Sequence, residues 1–198
     1  MSKTLKHEVK ADFLLDKGMA LLWSKGYNAT SVNDIVKEAG IPKGSFYFYF
    51  KSKEDFAVKA IERYFLLMFT PAKEILENKS VSPKQRLLDF HEYRISVLKN
   101  EMDCKMGCMA SNLGNEMSEH NEGIRKAILE KEQMILSLIT SVIQEAQDYG
   151  EISNTMKASD IAAFIEDAGK GAMVSMKEMK CSYPIDNVMN MIRAILLK

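Results

Sequence analysis

The sequence has little proline, glycine or cysteine, and it carries no net charge. Four prolines and ten glycines in 198 residues are too few for a collagen-like chain, long flexible linkers or wholesale disorder. Three cysteines are an odd number and too few for a disulfide scaffold, so we expect reduced thiols. With 46% hydrophobic and 27% charged residues, the composition indicates a globular protein of one domain or of two small ones that share a core.

Long hydrophobic runs are absent as well. A membrane-spanning helix needs roughly 18 apolar residues, and the longest apolar run here covers only residues 64–69. The first ten residues contain no hydrophobic signal region. We therefore expect a cytoplasmic protein with no membrane partner.

The zero net charge hides an uneven distribution. Residues 1–51 contain eight lysines and five acidic residues, a net charge of +3, and the remaining 147 residues therefore have a net charge of −3. This asymmetry is mild, but a small DNA-binding head needs only a local basic patch. The composition as a whole therefore does not exclude a nucleic-acid partner.

Helix-forming residues dominate the chain, and no segment alternates apolar and polar residues in the pattern of a β-strand. The sequence therefore predicts an all-α fold. A bend is expected near Pro71, and Ser159 is the expected cap of the penultimate helix. The predicted helices cover residues 6–25, 32–39, 44–50, 53–78, 83–100, 106–115, 123–149, 160–180 and 183–198.

The second and third predicted helices are short and closely spaced. Thr30 or Ser31 can cap the first of them, and Asp34 lies three residues after Ser31 in the first turn. Gly40 ends that helix, and Pro42 lies in the tight turn before the next one. Two helices of about two turns each, joined in this way, predict a helix-turn-helix unit.

The second helix of this unit carries five consecutive aromatic residues at positions 46–50. Phe46 and Phe50 are four residues apart and are expected to face inward, which leaves Tyr47, Phe48 and Tyr49 at least partly exposed. Exposed aromatic rings of this size favour a partner. Tyrosine hydroxyls can donate to phosphates, and ring faces can meet thymine methyl groups. The alternative is a buried aromatic cluster flanked by solvated lysines.

Residues 26–54 resemble the TetR family of bacterial transcriptional regulators. The shared pattern is G-Y-x-x-T-S-V-x-D-I, then A-G, then K-G-[ST]-hydrophobic-Y and finally F-x-[SN]-K-E. The resemblance implies an all-α homodimer with a DNA-binding head, residues 1–52, and a body that binds ligand and dimerises, residues 53–198. We expect no cofactor and no metal. Gly18, Leu22 and Pro42 depart from the family's usual Ala, Phe and Ser or Thr.

The same resemblance implies which residues contact an operator in double-stranded DNA. Lys43, Ser45 and Tyr47 are the predicted base-side contacts, and Gly44 lets the start of the helix approach a groove closely. The predicted phosphate contacts are Thr30, Tyr49 and Lys53.

Eleven of the fourteen methionines lie from Met102 onward. Methionine adapts to irregular cavities, so one interpretation is a pocket for a small apolar effector, and the other is an ordinary helical core. In the family, such effectors bind within the body and change the spacing of the two heads. The predicted pocket residues are Phe90, Tyr93, Met106, Met109, Leu113, Met117, Phe164 and Met173.

The last two predicted helices carry apolar stripes that favour a four-helix dimer interface, as the family forms. Gly169, Gly171 and Ala172 allow close helix approach. Packing within one subunit is the alternative. The first stripe is Ile161, Phe164, Ile165 and Ala168, and the second is Val188, Ile192, Ile195 and Leu196.

Cys104 and Cys108 would share one face if their segment were helical, and Lys105 between them could favour a thiolate. The surrounding run resembles the Gly-Cys element of one TetR subgroup, some of whose members sense reactive electrophiles. Both residues therefore join the predicted ligand-binding set. Two buried structural thiols, or a metal site completed by His120, are the alternatives.

Two other classes of function are weaker interpretations of this sequence. No phosphate-binding loop, H-E-x-x-H or G-x-S-x-G motif points to an enzyme. Glu116 and Glu119 are close in sequence, but such pairs are common on solvated helix faces. A helix-turn-helix module that binds only protein is the other alternative, and salt-sensitive binding to duplex DNA distinguishes it from a regulator.

Overall fold

The computed structural model describes the backbone of residues 3–196 and the side chains of residues 10–194. Every regular element in this range is helical, which confirms the predicted all-α fold. The elements are α1 (Lys3–Lys25), α2 (Val32–Glu38), α3 (Lys43–Tyr49), α4 (Lys53–Glu77), α5 (Pro83–Ser96), a π-helical turn (Val97–Glu101), α6 (Met109–Met117), α7 (Glu122–Asp148), α8 (Ala158–Met179) and α9 (Tyr183–Leu196).

Local sequence signals explain where the short helices begin and end. The Ser31 hydroxyl accepts from the Asp34 amide at 3.1 Å, and the Asp34 carboxylate accepts from the Ser31 amide at 2.8 Å. This reciprocal pair is a capping box, and it satisfies two backbone donors at the start of α2. Gly26 and Gly40 follow α1 and α2 with φ angles of 84° and 66°, a conformation that glycine adopts without strain.

Two predicted helix boundaries and one predicted cap are wrong. Gly107, inside the predicted helix, has a φ angle of 65°, so the backbone there is not helical and α6 begins at Met109 rather than at residue 106. The predicted helix that ended at residue 100 passes instead into the π-helical turn after Ser96. Ser159 lies inside α8, whose N-cap is Lys157 with no side-chain cap bond.

The chain divides into two compact units. The first comprises Met1–Leu67 and Met109–Lys131, and the second comprises Met68–Cys108 and Glu132–Lys198. Helices α4 and α7 each contribute residues to both units. These packing units differ from the predicted functional division after residue 52, which stays a prediction.

In the first unit, α1 packs closely against its neighbours at Gly18. A Cβ atom at this position would lie 2.3 Å from Cζ of Phe56 and 2.8 Å from Cγ2 of Ile35. Phe56 and Ile35 are fully buried, so neither ring nor methyl group has free space to move into. The glycine that stands where the resemblance leads us to expect alanine is therefore required by this packing.

The second unit has its own apolar core. Phe69 and Leu76 of α4 pack there with Phe90 of α5, and helices α7, α8 and α9 supply further buried aliphatic residues. Among the described residues, no helix is both long enough and apolar enough to span a bilayer.

Candidate functional site

Helix α3 has one buried and one exposed aromatic face. Phe46 and Phe50 are 0% and 3% exposed, and both rings contact Phe56 with centroid distances of 5.6 and 4.9 Å. Tyr47 and Phe48 are 57% and 70% exposed. The structure therefore confirms the expected inward and outward division, and a fully buried aromatic cluster is excluded.

The start of α3 is open to solvent. Lys43 and Gly44 are exposed and Ser45 is half-buried. Apart from its two neighbours in sequence and the nearby backbone of α3, no atom of the described residues lies within 4 Å of a Cβ built on Gly44, so the protein's own packing does not require glycine there. A partner molecule that approaches the backbone closely at this position would explain why a glycine stands there. Tyr49, the remaining residue of α3 in the predicted set, is half-buried.

Lys53, at the first position of α4, is held against the loop that precedes α2. Its Nζ lies 4.0 Å from the centroid of the Tyr27 ring, a cation–π distance. Burial lowers the pKa of Lys53, and the charges of Glu116 and Asp34 oppose that shift without cancelling it. The ammonium group is therefore half-buried and positioned at a helix N-terminus, and its predicted contact with phosphate stays a prediction.

Thr30 does not have the exposure that a phosphate contact needs. Its side chain is 0% exposed, and its hydroxyl donates to the Gly26 carbonyl at 2.7 Å. The predicted DNA contact by this side chain is therefore wrong, because the hydroxyl already satisfies a carbonyl in the loop between α1 and α2. Its role in the described structure is to hold that loop.

Glu116 of α6 is a residue whose importance the sequence did not reveal. Its two carboxylate oxygens accept from the backbone amides of Tyr27 and Asn28, each at 2.7 Å. A Cβ on Gly26 would lie 2.6 Å from Oε2 of Glu116. Glu116 therefore fastens the loop before α2 to α6 within the first unit. No sequence signal pointed to this contact, since the partners are 88 and 89 residues apart.

A Glu116→Gln variant is expected to lose about 2 kcal/mol of stability in the first unit, because the amide can replace only one of the two charge-assisted hydrogen bonds. The single tryptophan, Trp23, lies in α1 and reports unfolding of this unit by fluorescence in urea. The exposed Glu119 supplies the matched control, Glu119→Gln, which is expected to unfold like the wild type. Equal midpoints for the two variants would contradict the assigned role of Glu116.

The second unit contains a cavity of about 50 Å³ between α5, α8 and α9. Its polar lining is His91, Arg94 and Glu166. His91 is 5% exposed, and its Nε2 atom has no hydrogen-bond partner among the described residues. Burial, together with the charge of Arg94, lowers the pKa of His91 to about 4 despite the opposing charge of Glu166. The apolar lining is Ile95, Leu98, Ile165, Gly169, Met173, Ile185, Val188 and Ile192.

Of the eight aromatic, leucine and methionine residues predicted for the pocket, Met173 lines this cavity. Phe90 and Tyr93 pack in the core of the second unit, Met106 is half-buried, and Phe164 is 61% exposed. Phe164 faces solvent because Ile161 and Ile165 occupy the buried face of α8. Met109, Leu113 and Met117 are buried residues of the first unit.

The cysteines differ from their predicted arrangement. Cys104 and Cys108 lie outside the helices, and both pack against the small cluster formed by Met173, Met176 and Ile185. Burial raises the pKa of Cys104, with Asp103 adding to the shift, so the expected stabilisation of its thiolate by Lys105 is wrong.

Lys105 pairs instead with the carboxylate of Asp103. Cys181 also contributes to the raised pKa of Cys104, which places a third thiol in the same neighbourhood. Within the described residues, no group of three His, Cys, Asp or Glu side chains could hold a metal ion, so the alternative site with His120 is not formed.

The predicted apolar stripes of α8 and α9 are largely turned inward. Ile161, Ile165 and Ile192 are buried in the core of the second unit, and Val188 packs against that core. The side chains of Ile195 and Leu196 lie outside the described residues. Phe164, a member of the first stripe, is exposed, as are four other large apolar residues of these two helices: Val174, Met179, Tyr183 and Met191.

Two family models match this chain. One, described as bacterial regulatory proteins of the tetR family, matches residues 14–60. The other, described as the tetracyclin repressor-like C-terminal domain, matches residues 83–192. The first match contains α2 and α3, and the second contains most of the second unit.

Individual proteins match along almost the whole chain. The HTH-type transcriptional repressor DhaR of Mycobacterium sp. (strain GP1) is 28% identical over 93% of this chain and 90% of its own length. The HTH-type transcriptional repressor NemR of Escherichia coli (strain K12) is 22% identical over 99% of this chain and 98% of its own. The crystal structure of a regulatory protein TetR from Rhodobacter sphaeroides is 27% identical, with a TM-score of 0.83 over 91% of this chain and 95% of its own.

Proposed function

This chain belongs to the TetR family of bacterial regulatory proteins, and we propose from that membership that it is a homodimeric repressor that a small effector releases from a near-palindromic operator. The proposal places the protein in the cytoplasm, with the first unit as the DNA-binding part. It includes no catalytic step and no cofactor.

The observation that carries the proposal is the exposed aromatic face at the open start of α3. Tyr47 and Phe48 are more than half exposed although Phe46 and Phe50 of the same helix are buried. Lys43 and Gly44 precede them on the same exposed end. A helix of this kind can enter a major groove, where it contacts base edges, while nearby lysines contact phosphates.

Selection from random duplexes, followed by titration of the selected DNA at several salt concentrations, tests the proposal. We expect two related half-sites in inverted orientation, spaced roughly one helical turn or somewhat more apart. Binding is expected to weaken as salt rises, because bound lysines release counterions from the phosphates. A helix-turn-helix module that binds only protein would select no sequence and show no salt-dependent affinity for duplex DNA.

The proposed dimer interface uses the exposed rather than the buried faces of α8 and α9. Phe164, Ala168 and Gly171 lie at i, i+4 and i+7 on α8, and Tyr183 and Met191 are 67% and 53% exposed on α9. A large apolar side chain next to small residues favours close helix approach between two copies.

A Phe164→Glu variant is expected to be monomeric at micromolar concentration in sedimentation velocity, because the carboxylate would be buried without a partner. Its operator affinity is expected to fall with the loss of the second head. Met134 of α7 is 49% exposed and supplies the control, Met134→Glu, which is expected to remain a dimer. A dimeric Phe164→Glu variant would place the interface elsewhere.

Two classes of effector fit the second unit, one that binds reversibly in the cavity and one that modifies the thiols. Electrophile treatment distinguishes them when DNA release is measured for the wild type and for a Cys104→Ser/Cys108→Ser variant. Release of the wild type alone identifies the thiols as the sensor. Equal release of both proteins contradicts sensing by Cys104 and Cys108, and an absence of release with every oxidant, electrophile and small molecule contradicts the effector-responsive part of the proposal.

A further inference from the structure

The cavity between α5, α8 and α9 contains a polar atom that no described residue hydrogen-bonds. His91 lines the cavity, its side chain is 5% exposed, and its Nε2 atom has no hydrogen bond among the described residues. Most buried polar atoms in proteins are hydrogen-bonded, so an unpartnered ring nitrogen at a cavity indicates a place for a ligand atom. A ligand oxygen at this position would supply the missing hydrogen bond.

The charged groups of the cavity cancel each other. Nη1 of Arg94 lies 2.5 Å from Oε1 of Glu166, and the Arg94 guanidinium also lies 5.1 Å from the centroid of the Phe90 ring. Burial raises the pKa of Glu166, but the groups around it, of which Arg94 has the largest effect, together lower the pKa below its ordinary value and keep the carboxyl ionised near pH 7. Lys170, the other nearby cation acting on Glu166, is itself paired with Glu132 at 2.9 Å.

His91 is neutral near pH 7, because burial and the charge of Arg94 hold its pKa at about 4. A charged ligand would therefore bring an uncompensated charge into a site that already balances its own. Moving such a charge out of water is unfavourable, whereas an uncharged ligand avoids that penalty.

The dimensions of the cavity limit the ligand further. A volume of about 50 Å³ is roughly one third of the approximately 150 Å³ cavity that holds a benzene molecule. By that ratio the volume holds about two non-hydrogen atoms, and because the cavity is partly open, a ligand of roughly three to five such atoms can place its oxygen inside and extend its alkyl part toward the opening. Ile165, Met173 and Ile192 supply an apolar wall for its alkyl part.

We propose that this cavity binds a small uncharged oxygen compound, a short-chain alcohol or ketone, whose oxygen pairs with Nε2 of His91 while its alkyl groups contact Ile165, Met173 and Ile192. A hydroxyl group suits either tautomer of the imidazole, because it can both donate and accept. That this compound also acts as the effector rests on the proposed function, but its binding in the cavity does not.

Three probes of similar size separate the contributions of charge and hydrogen bonding. 2-Propanol, acetone and acetate each have four non-hydrogen atoms, and acetone and acetate also have nearly the same shape. The imidazole ring of His91, assigned by comparison with a His91→Gln variant, is observed by proton–nitrogen correlation NMR during titration to about 50 mM. So small a ligand is expected to bind in the millimolar to high micromolar range.

We expect saturable shifts of the His91 signals with 2-propanol or acetone, and binding of acetate at least tenfold weaker. A Gly169→Leu variant is expected to abolish the shifts, because Gly169 lines the cavity and has open space at its Cβ. Ser159, exposed on the first turn of α8, supplies the control Ser159→Leu, which should bind the probes like the wild type. Thermal unfolding of both variants verifies that they are folded.

Three results would overturn the inference: no saturable shift with either uncharged probe, acetate binding equal to that of acetone, or unchanged binding in a folded Gly169→Leu variant. Titration of the protein–operator complex with the same probes tests their regulatory effect separately. Binding without release of DNA would retain the cavity assignment and remove its role as effector site. If no probe binds in the cavity, the operator-binding experiment still tests the proposed function on its own.

Discussion

Replacing Tyr47 with alanine is expected to weaken operator binding by roughly 30-fold to 10⁴-fold. A base-edge contact contributes about 1–3 kcal/mol, and a dimer makes the contact twice. The Tyr47 ring is 57% exposed and contacts Phe46 only at its edge, with a centroid distance of 5.3 Å, so truncation should leave the fold intact. Fluorescence anisotropy with the selected operator and with a scrambled duplex measures the decrease in affinity and in specificity.

Tyr149 provides a matched control for this substitution. It is 72% exposed in the second unit, and Tyr149→Ala is expected to bind operator like the wild type.

Lys53→Ala should weaken binding to both duplexes alike and reduce the salt dependence. The logarithmic slope of affinity against salt should fall by about 0.9 for each phosphate that the variant no longer neutralises. Unchanged operator affinity in Tyr47→Ala, Lys43→Ala and Lys53→Ala together would show that the DNA surface lies elsewhere.

Lowering the pH from 7 to 4.5 is expected to reduce the free energy of unfolding by about 2 kcal/mol more in the wild type than in a His91→Gln variant. The pKa of His91 falls from 6.5 in the unfolded chain to about 4 in the folded protein, because the ring is buried and faces Arg94. The unfolded state therefore binds the proton first as the pH falls below 6.5. Stability is complete above that value and decreases between pH 6.5 and pH 4.

Urea unfolding at fixed protein concentration, measured for both proteins at each pH, isolates this effect. The carboxylates and other histidines titrate in the wild type and in the variant, so their contributions cancel in the difference. Glu166, which opposes the shift in the pKa of His91, is present in both proteins. A difference that stays constant between pH 7 and pH 4.5 would show that the folded protein protonates His91 as readily as the unfolded chain does.

The hydrogen bonds of Glu116 to the loop before α2 couple the position of that loop to the position of α6. Glu116 lies on α6, and the same carboxylate helps to maintain the charge of Lys53 at the start of α4. A change in the position of α6 would therefore act on the loop before α2 and on a predicted phosphate contact together. The Glu116→Gln variant described above tests the first of these links.

The sequence by itself determined the helices, the helix-turn-helix unit and the family, because each depends on residues close together in the chain. The Ser31–Asp34 capping box and the inward positions of Phe46 and Phe50 follow from spacings of three and four residues, and the structure contains both. The family pattern is likewise continuous over residues 26–54.

Only the tertiary structure decided which neighbour covers each helix face. Helical periodicity placed Ile161, Phe164 and Ile165 on one broad apolar stripe, but the core of the second unit buries the two isoleucines and leaves Phe164 exposed. The tertiary structure likewise decided that Thr30 is buried, with its hydroxyl donating to the Gly26 carbonyl. Spacing along a helix identifies side chains that share a face, whereas the register of packing decides whether that face meets the core or solvent.

The contacts of Glu116 and the cavity at His91 depend on residues that are far apart in the chain. Glu116 meets amides 88 and 89 residues away, and the Arg94–Glu166 pair spans 72 residues. An acidic residue on a predicted helix has no local feature that separates a solvated carboxylate from one that binds a distant loop. The chain must fold before these charges meet their partners and before the Nε2 atom of His91 is buried with no hydrogen bond from the residues that the structure describes.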